Sequence, residues 1–173
     1  MAPLTGLRVP IENSANVTRG LVTVKIDNKR EARPQAGINQ ADIVFEVRVE
    51  GGLTRFIAMY HSTDAASIGP VRSARTTDVG LLIGFGSPVF GFSGANDGTL
   101  VDLEASALVL APDGPGYRRE PGRPVPHNLM TSTAGLYARS AGSSQPVRFF
   151  DFRDTGEVPP GLDTVGIRVA EGG

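Results

Sequence analysis

The sequence predicts an α/β domain in which a mixed sheet carries packed helices. Three observations point there. Residues 43–50 and 53–60 alternate apolar and polar side chains on either side of a glycine pair, LVTVKI at Leu21–Ile26 reads as a central strand, and short helical stretches alternate with further strands after the hairpin.

Met1–Thr18 is extended and turn-rich, punctuated by Pro3, Gly6 and Pro10. The strand Leu21–Ile26 follows, with Asp27 and Asn28 at its C-terminal end, where α/β architectures collect ligand-facing groups and where turns also recruit Asp and Asn. Ala32–Asn39 is a loop whose Arg33 reaches either a carboxylate or solvent.

In the hairpin, Ile43, Phe45, Val47 and Val49 alternate with Val44, Glu46, Arg48 and Glu50. Gly51-Gly52 suits a two-residue turn with positive φ. That turn sets Glu50 against Leu53, Val49 against Thr54, Arg48 against Arg55, Val47 against Phe56 and Glu46 against Ile57. One face is then apolar, with Phe45, Val47, Val49, Phe56, Ala58 and Tyr60. The other carries Glu46, Arg48, Glu50 and Arg55, with Asp42 and His61 near the open end. As a surface, this face is laced with weak ion pairs.

Ile68-Gly69-Pro70-Val71 is a turn, and a helix is expected over Arg72–Phe85, capped by Ser73 and buried through Val79, Leu82 and Ile83. Arg72 and Arg75 then fall in its first turn, where positive charge opposes the helix dipole and calls for a compensating anion. Glu46, Glu50 and Asp27 are the carboxylates within reach; a ligand's phosphate, sulfate or carboxylate is the alternative.

Pro88–Phe92 reads as a strand and Ser93–Gly98 as a loop whose glycines match neither common nucleotide fingerprint. Thr99 is expected to cap a short helix through Leu108. Pro112–Pro126 is irregular and carries Arg118, Arg119 and Arg123. His127-Asn128 ends that loop before a helix from Thr133 to Ala141, capped by Ser132 or Thr131. His127 suits a proton carrier near neutral pH as well as a structural hydrogen-bonding role. Val147–Phe152 and Val165–Val169 read as late strands.

Composition narrows the function classes. The 173 residues suit one domain with a hydrophobic core, being 40% hydrophobic and 20% charged, while 22 glycines and 13 prolines imply long loops. With 17 basic against 18 acidic side chains, the net charge of −1 supplies no broad footprint for nucleic acid. The absence of cysteine removes disulfides, thiolate catalysis and cysteine-ligated zinc. With two histidines and no ligand ladder, no metal site is expected, nor any cofactor. No apolar run approaches the roughly 18 residues of a transmembrane helix, so the chain reads as soluble.

Six pieces carry a family resemblance: PLTG at Pro3–Gly6, VKIDN at Val24–Asn28, ARPQAGINQADIVFE at Ala32–Glu46, VEGGLTRF at Val49–Phe56, IGPVRSAR at Ile68–Arg75 and VPHNL at Val125–Leu129. Together they resemble the N-terminal domain of the bacterial YerB-like lipoprotein family, a domain of unknown function. The resemblance implies an α/β domain excised from a longer envelope protein that continues into a smaller C-terminal domain. It also implies an extracytoplasmic location, with membrane contact only through a lipid anchor outside this fragment. It brings no catalytic assignment.

Three function classes follow from these residues. The first is an extracytoplasmic binding or scaffold module holding an anionic envelope component, or an envelope protein, through Arg55, Arg72 and Arg75. The second is a metal-independent hydrolase or transferase with Glu46 or Glu50 as base and His127 as acid. The third is a structural module whose charges are internal ion pairs. The candidate ligand-facing set is Asp27, Asn28, Glu46, Glu50, Arg55, Arg72, Arg75, His127 and Asn128. Lacking an identifiable nucleophile or cofactor loop, the chain favours the first class over the second.

Overall fold

Five strands, β1 (Val22–Asp27), β2 (Ile43–Arg48), β3 (Thr54–Tyr60), β4 (Val89–Phe92) and β5 (Val109–Pro112), form a mixed sheet in the order β2-β3-β1-β4-β5. The structure is a computed structural model describing residues 1–153 and 156–158. Central β1 runs antiparallel to β3 and parallel to β4, which in turn runs parallel to β5. Every residue of β1 is buried, as expected of a strand covered on both faces.

The two faces bury different sets of side chains. Val22, Val24 and Ile26 pack with Ala58, Tyr60, Ile68, Val71, Leu129 and Leu136, the last from α3 (Thr133–Tyr137). On the other face Ile57, Met59, Phe90 and Phe92 meet Leu82 of α1 (Thr76–Leu82), Phe85 just after it, and Leu103 of α2 (Asp97–Glu104). Burying each such aliphatic or aromatic side chain contributes about 1.5–3 kcal/mol before the entropy of ordering it is subtracted.

The hairpin forms where the alternation places it, but its register differs by one residue. Val47 lies opposite Arg55, and Arg48 opposite Thr54. The loop holds three residues, Glu50, Gly51 and Gly52, closed by the Val49 N–H donating to the Leu53 carbonyl at 2.8 Å. Both glycines adopt positive φ, 71° and 70°, so Glu50 joins the loop instead of ending the strand. Because side chains alternate with a period of two, this shift moves Arg55 onto the face of Phe45 and Val47, and Phe56 onto that of Glu46 and Arg48.

Several boundaries also move. Ile11–Thr18 forms a 3-10 helix where extended chain is expected. The first α-helix starts at Thr76, leaving Arg72 in extended chain and Arg75 at the cap position. Asn96, not Thr99, caps α2: its Oδ1 accepts from the Thr99 N–H at 2.8 Å. That helix stops at Glu104, which frees Val109–Pro112 to become β5. Ser132 caps α3, which ends at Tyr137 and not at Ala141. Inside the loop read as irregular, Arg118–Arg119 (β6) pairs with Leu129–Met130 (β7). Val147–Phe152 forms no strand; instead Phe149 stacks on Phe85 with ring centroids 4.5 Å apart. The strand expected at 165–169 lies outside the described residues.

At the open end of the hairpin, Asp42 accepts from the backbone N–H groups of His61 and Ser62 at 2.6 and 2.9 Å. His61 is fully buried, its Nε2 lies 3.1 Å from the Arg19 carbonyl, and its Nδ1 has no hydrogen-bond partner among the described residues. Burial lowers its pKa below the ordinary value of about 6.5. The unfolded chain therefore takes up a proton that the folded chain refuses, and stability falls as pH drops below about 6.5. Urea midpoints measured at pH 7.5 and pH 5 should decline more steeply for the parent than for His61→Gln, and parallel declines would contradict this assignment.

Candidate functional site

The site is built where β1 and β4 part. They pair only over Val22–Val24; beyond that point the chain from Pro70 to Arg72 runs along β1, with an isolated bridge between Ile26 and Val71. The Asp27 N–H donates to the Pro70 carbonyl and the Arg72 N–H to the Lys25 carbonyl, each at 2.9 Å. On the far side, the Ser93 N–H donates to the Arg72 carbonyl at 3.1 Å. Gly69 permits this insertion: a Cβ there would sit 2.8 Å from the Leu129 carbonyl oxygen, at a φ of 150°. Ligand sites in α/β sheets collect beyond the C-terminal ends of parallel strands, and this wedge occupies such a place.

Asp27 is 1% exposed and is the anchor of the wedge. Its Oδ2 lies 2.8 Å from Nδ1 of His127 and 2.9 Å from Nε of Arg72, while Oδ1 accepts from the Lys29 N–H at 3.1 Å. The Arg72 approach is an ion pair whose angle is too poor for a hydrogen bond, so its buried Nε–H stays unsatisfied. The terminal nitrogens of Arg72 have no protein partner among the described residues, and the side chain lines a cleft of about 150 Å³ with Ser73, Ser93, Asp113 and Arg119.

Beside Asp27 on the same sheet face stand Lys25 and Arg55. Lys25 Nζ meets Asp78 Oδ1 at 2.5 Å with both side chains fully buried, and Asp78 Oδ2 also accepts from the Arg75 N–H at 2.8 Å. Burial lowers the Lys25 pKa, and the Asp78 charge and hydrogen bond oppose that shift. Arg55 donates to the Ser73 carbonyl at 2.8 Å. Its pKa is lowered first by burial and then by the charges of Arg75 and Arg72, against the pull of Asp27 and Glu50. Lys25, Arg55, Arg72 and Arg75 thus share Asp27, Glu50 and Asp78, four cations against three carboxylates.

The remaining candidates divide. Arg75 pairs with Glu50 at 2.7 Å and donates to the Ala74 carbonyl at 2.7 Å, lining a second cavity of about 260 Å³ with Arg48, Asn96 and Thr99. The Arg75 hydrogen bond holds the Glu50 carboxyl below its ordinary pKa. Glu46 meets neither Arg72 nor Arg75; it accepts from Thr54 at 2.6 Å and Asn28 at 3.0 Å on the opposite face of the sheet. The Asn28 Oδ1 accepts from Arg33 and Gln35, each at 3.2 Å. Asn128 accepts from Arg119 Nη1 at 3.0 Å, while Arg119 Nη2 lies 3.4 Å from Asp113. His127 is therefore paired with Asp27, and with neither Glu46 nor Glu50.

Five contributors escape the sequence reading: Lys25, Asp78, Asp113, and Ser73 and Ser93 as cleft-lining groups. Lys25 left a signal, a charge within a strand apolar on both sides, which requires a buried counter-charge. Asp78 left another, an acid three residues after the cap position.

The two best-defined ion pairs should respond differently to truncation. Asp78→Ala leaves Lys25 buried without its counter-charge and should lower unfolding free energy by about 3–5 kcal/mol, with part restored by adding Lys25→Met. Arg75→Ala removes a pair whose Glu50 side chain is 67% exposed and should cost far less than Asp78→Ala. Denaturant melts of these variants check the ranking, and a larger loss for Arg75→Ala would reverse it.

Comparison with known proteins agrees with this architecture. Residues 4–146 match a family described as "Protein of unknown function (DUF3048) N-terminal domain". The chain is 41% identical over 136 residues to Bacillus subtilis (strain 168) YerB, whose name describes it as a lipoprotein; the match covers 76% of this chain and 40% of that protein. It also superposes on the crystal structure of YerB from Bacillus subtilis with a TM-score of 0.75 and 35% identity, covering 84% of this chain and 51% of the other. The chain thus spans about half the length of the relatives it matches or less. Matched by the family over residues 4–146 and 41% identical to a relative over 76% of its own length, the chain belongs to the DUF3048 N-terminal domain family.

Proposed function

We propose that this domain is an extracytoplasmic binding module of a lipid-anchored envelope protein, and that it captures an anionic group at the arginine node beside Asp27. The location rests on kinship with a Bacillus protein named as a lipoprotein. Binding rests on one observation: Arg55 is buried between Arg72 and Arg75 in a cluster holding four cations and three carboxylates, and Arg72 turns unpartnered donors toward an open cleft. Excess charge at a partly desolvated site favours an incoming anion more strongly than the same charge in bulk water does.

The structural reading accounts for Lys25–Asp78 and Arg75–Glu50, which satisfy each other, but not for the open end of Arg72. A hydrolytic reading draws on His127, whose Nδ1 is held by Asp27 as in an oriented acid–base pair. In that arrangement Asp27, not Glu46 or Glu50, is the carboxylate partner.

Anion capture is tested by thermal unfolding with phosphate, sulfate, acetate and citrate at constant ionic strength made up with chloride. At least one of these anions should raise the midpoint in the parent and not in Arg72→Gln, whose circular dichroism reports whether it folds. If no anion acts beyond chloride, the binding reading is lost.

A further inference from the structure

We propose that the group captured is a tetrahedral oxyanion of the phosphate-ester type, seated in the cleft formed by Arg72, Ser73, Ser93 and Arg119; the proposal rests on the anion-binding reading above. Two features of the cleft select this chemistry over a carboxylate.

The first is the distribution of donors. Arg72 comes from the wedge with Ser73 next to it, Ser93 directly follows β4, and Arg119 lies in β6. The hydroxyls of Ser73 and Ser93 have no hydrogen-bond partner among the described residues, and the two serine backbones are already fixed: the Ser73 carbonyl accepts from Arg55, and the Ser93 N–H donates to Arg72. A planar carboxylate is satisfied by the two parallel N–H groups of one guanidinium. Donors converging from three separate elements match an anion that presents three or four oxygens in different directions.

The second is size. A volume of about 150 Å³ in a cleft open to solvent admits a phosphate group with the first atoms of its ester, and is too small to enclose a whole nucleotide. The rest of the ligand therefore projects outward. Asp113 stands on the cleft as well, and its contact with Arg119 is a loose 3.4 Å between side chains that are 39% and 56% exposed. An entering phosphate competes with Asp113 for Arg119, while Asn128 holds the other terminal nitrogen in place.

The same group occurs free and on lipid headgroups, so the test carries both sources. Isothermal titration at constant ionic strength uses inorganic phosphate, glycerol 3-phosphate and acetate; flotation uses phosphatidylcholine vesicles with and without phosphatidic acid. The proposal expects phosphate or glycerol 3-phosphate to bind at least about tenfold more tightly than acetate, and Ser73→Ala/Ser93→Ala to weaken that binding by about tenfold or more while the fold persists. Arg119→Gln, at an exposed position, should weaken it in the same direction without endangering folding. Co-flotation with phosphatidic acid, lost in the same variants, identifies the headgroup as the source; binding of glycerol 3-phosphate without flotation identifies a soluble ester. If acetate binds as tightly as phosphate, or if the serine pair and Arg119→Gln leave phosphate affinity unchanged, the tetrahedral-anion assignment is overturned although the anion-binding reading stands. If no anion binds, both fall.

Discussion

The insertion of Pro70–Arg72 between the ends of β1 and β4 is the constraint on which the site depends. Two parallel strands that stayed paired would, in the same register, set Lys25 against Phe92 and Asp27 against Gly94 and leave no room for Arg72 between them. The wedge satisfies the backbone of β1 through its bonds to Lys25 and Asp27, and satisfies Ser93 on the other side, so the sheet opens without orphaning its polar groups. It also fixes the position of Arg72. Ion pairing to Asp27 at 2.9 Å then follows from where the backbone has been put.

Charge is tolerated here because it is arranged in tiers of exposure. Lys25 and Asp78 form the innermost pair, where loss of either partner leaves an ion in an apolar layer beside Ile57 and Leu82. Asp27, Arg55 and Arg72 occupy the middle, and Glu50 and Arg75 the rim. The tiers explain why neighbouring arginines differ: Arg75 is neutralised by a solvent-facing glutamate, whereas Arg72 shares a carboxylate with His127 and keeps unused donors.

Much of the fold was legible because periodicity reports burial. The alternation around Gly51-Gly52 located β2 and β3, and the apolar run before Asp27 located β1 to within one residue. Register was not legible, since two glycines suit a two-residue and a three-residue loop equally well, and only packing chooses. The site was half visible. Arg72, Arg75, Asp27 and His127 stood out as charges at element ends, and two of the three carboxylates named for the arginines do pair with them, Asp27 with Arg72 and Glu50 with Arg75, whereas Glu46 falls on the other face of the sheet. Long-range pairs such as Asp27 with His127, a hundred residues apart in the chain, have no local signature.

The three-residue loop has a further consequence. Loop length sets the parity of the hairpin, and because β3 is held to β1 with Arg55 opposite Asp27, that parity decides which face of the edge strand β2 carries Glu46 and Arg48. The side of the sheet on which Glu46 stands is therefore specified some distance from it, by how many residues turn the corner between Val49 and Leu53. Shortening that corner by one glycine would turn Phe45 and Val47 away from Phe85 and bring Glu46 and Arg48 in their place, adding charge to the layer that holds Lys25 and Arg55 without altering a single residue that lines the cleft.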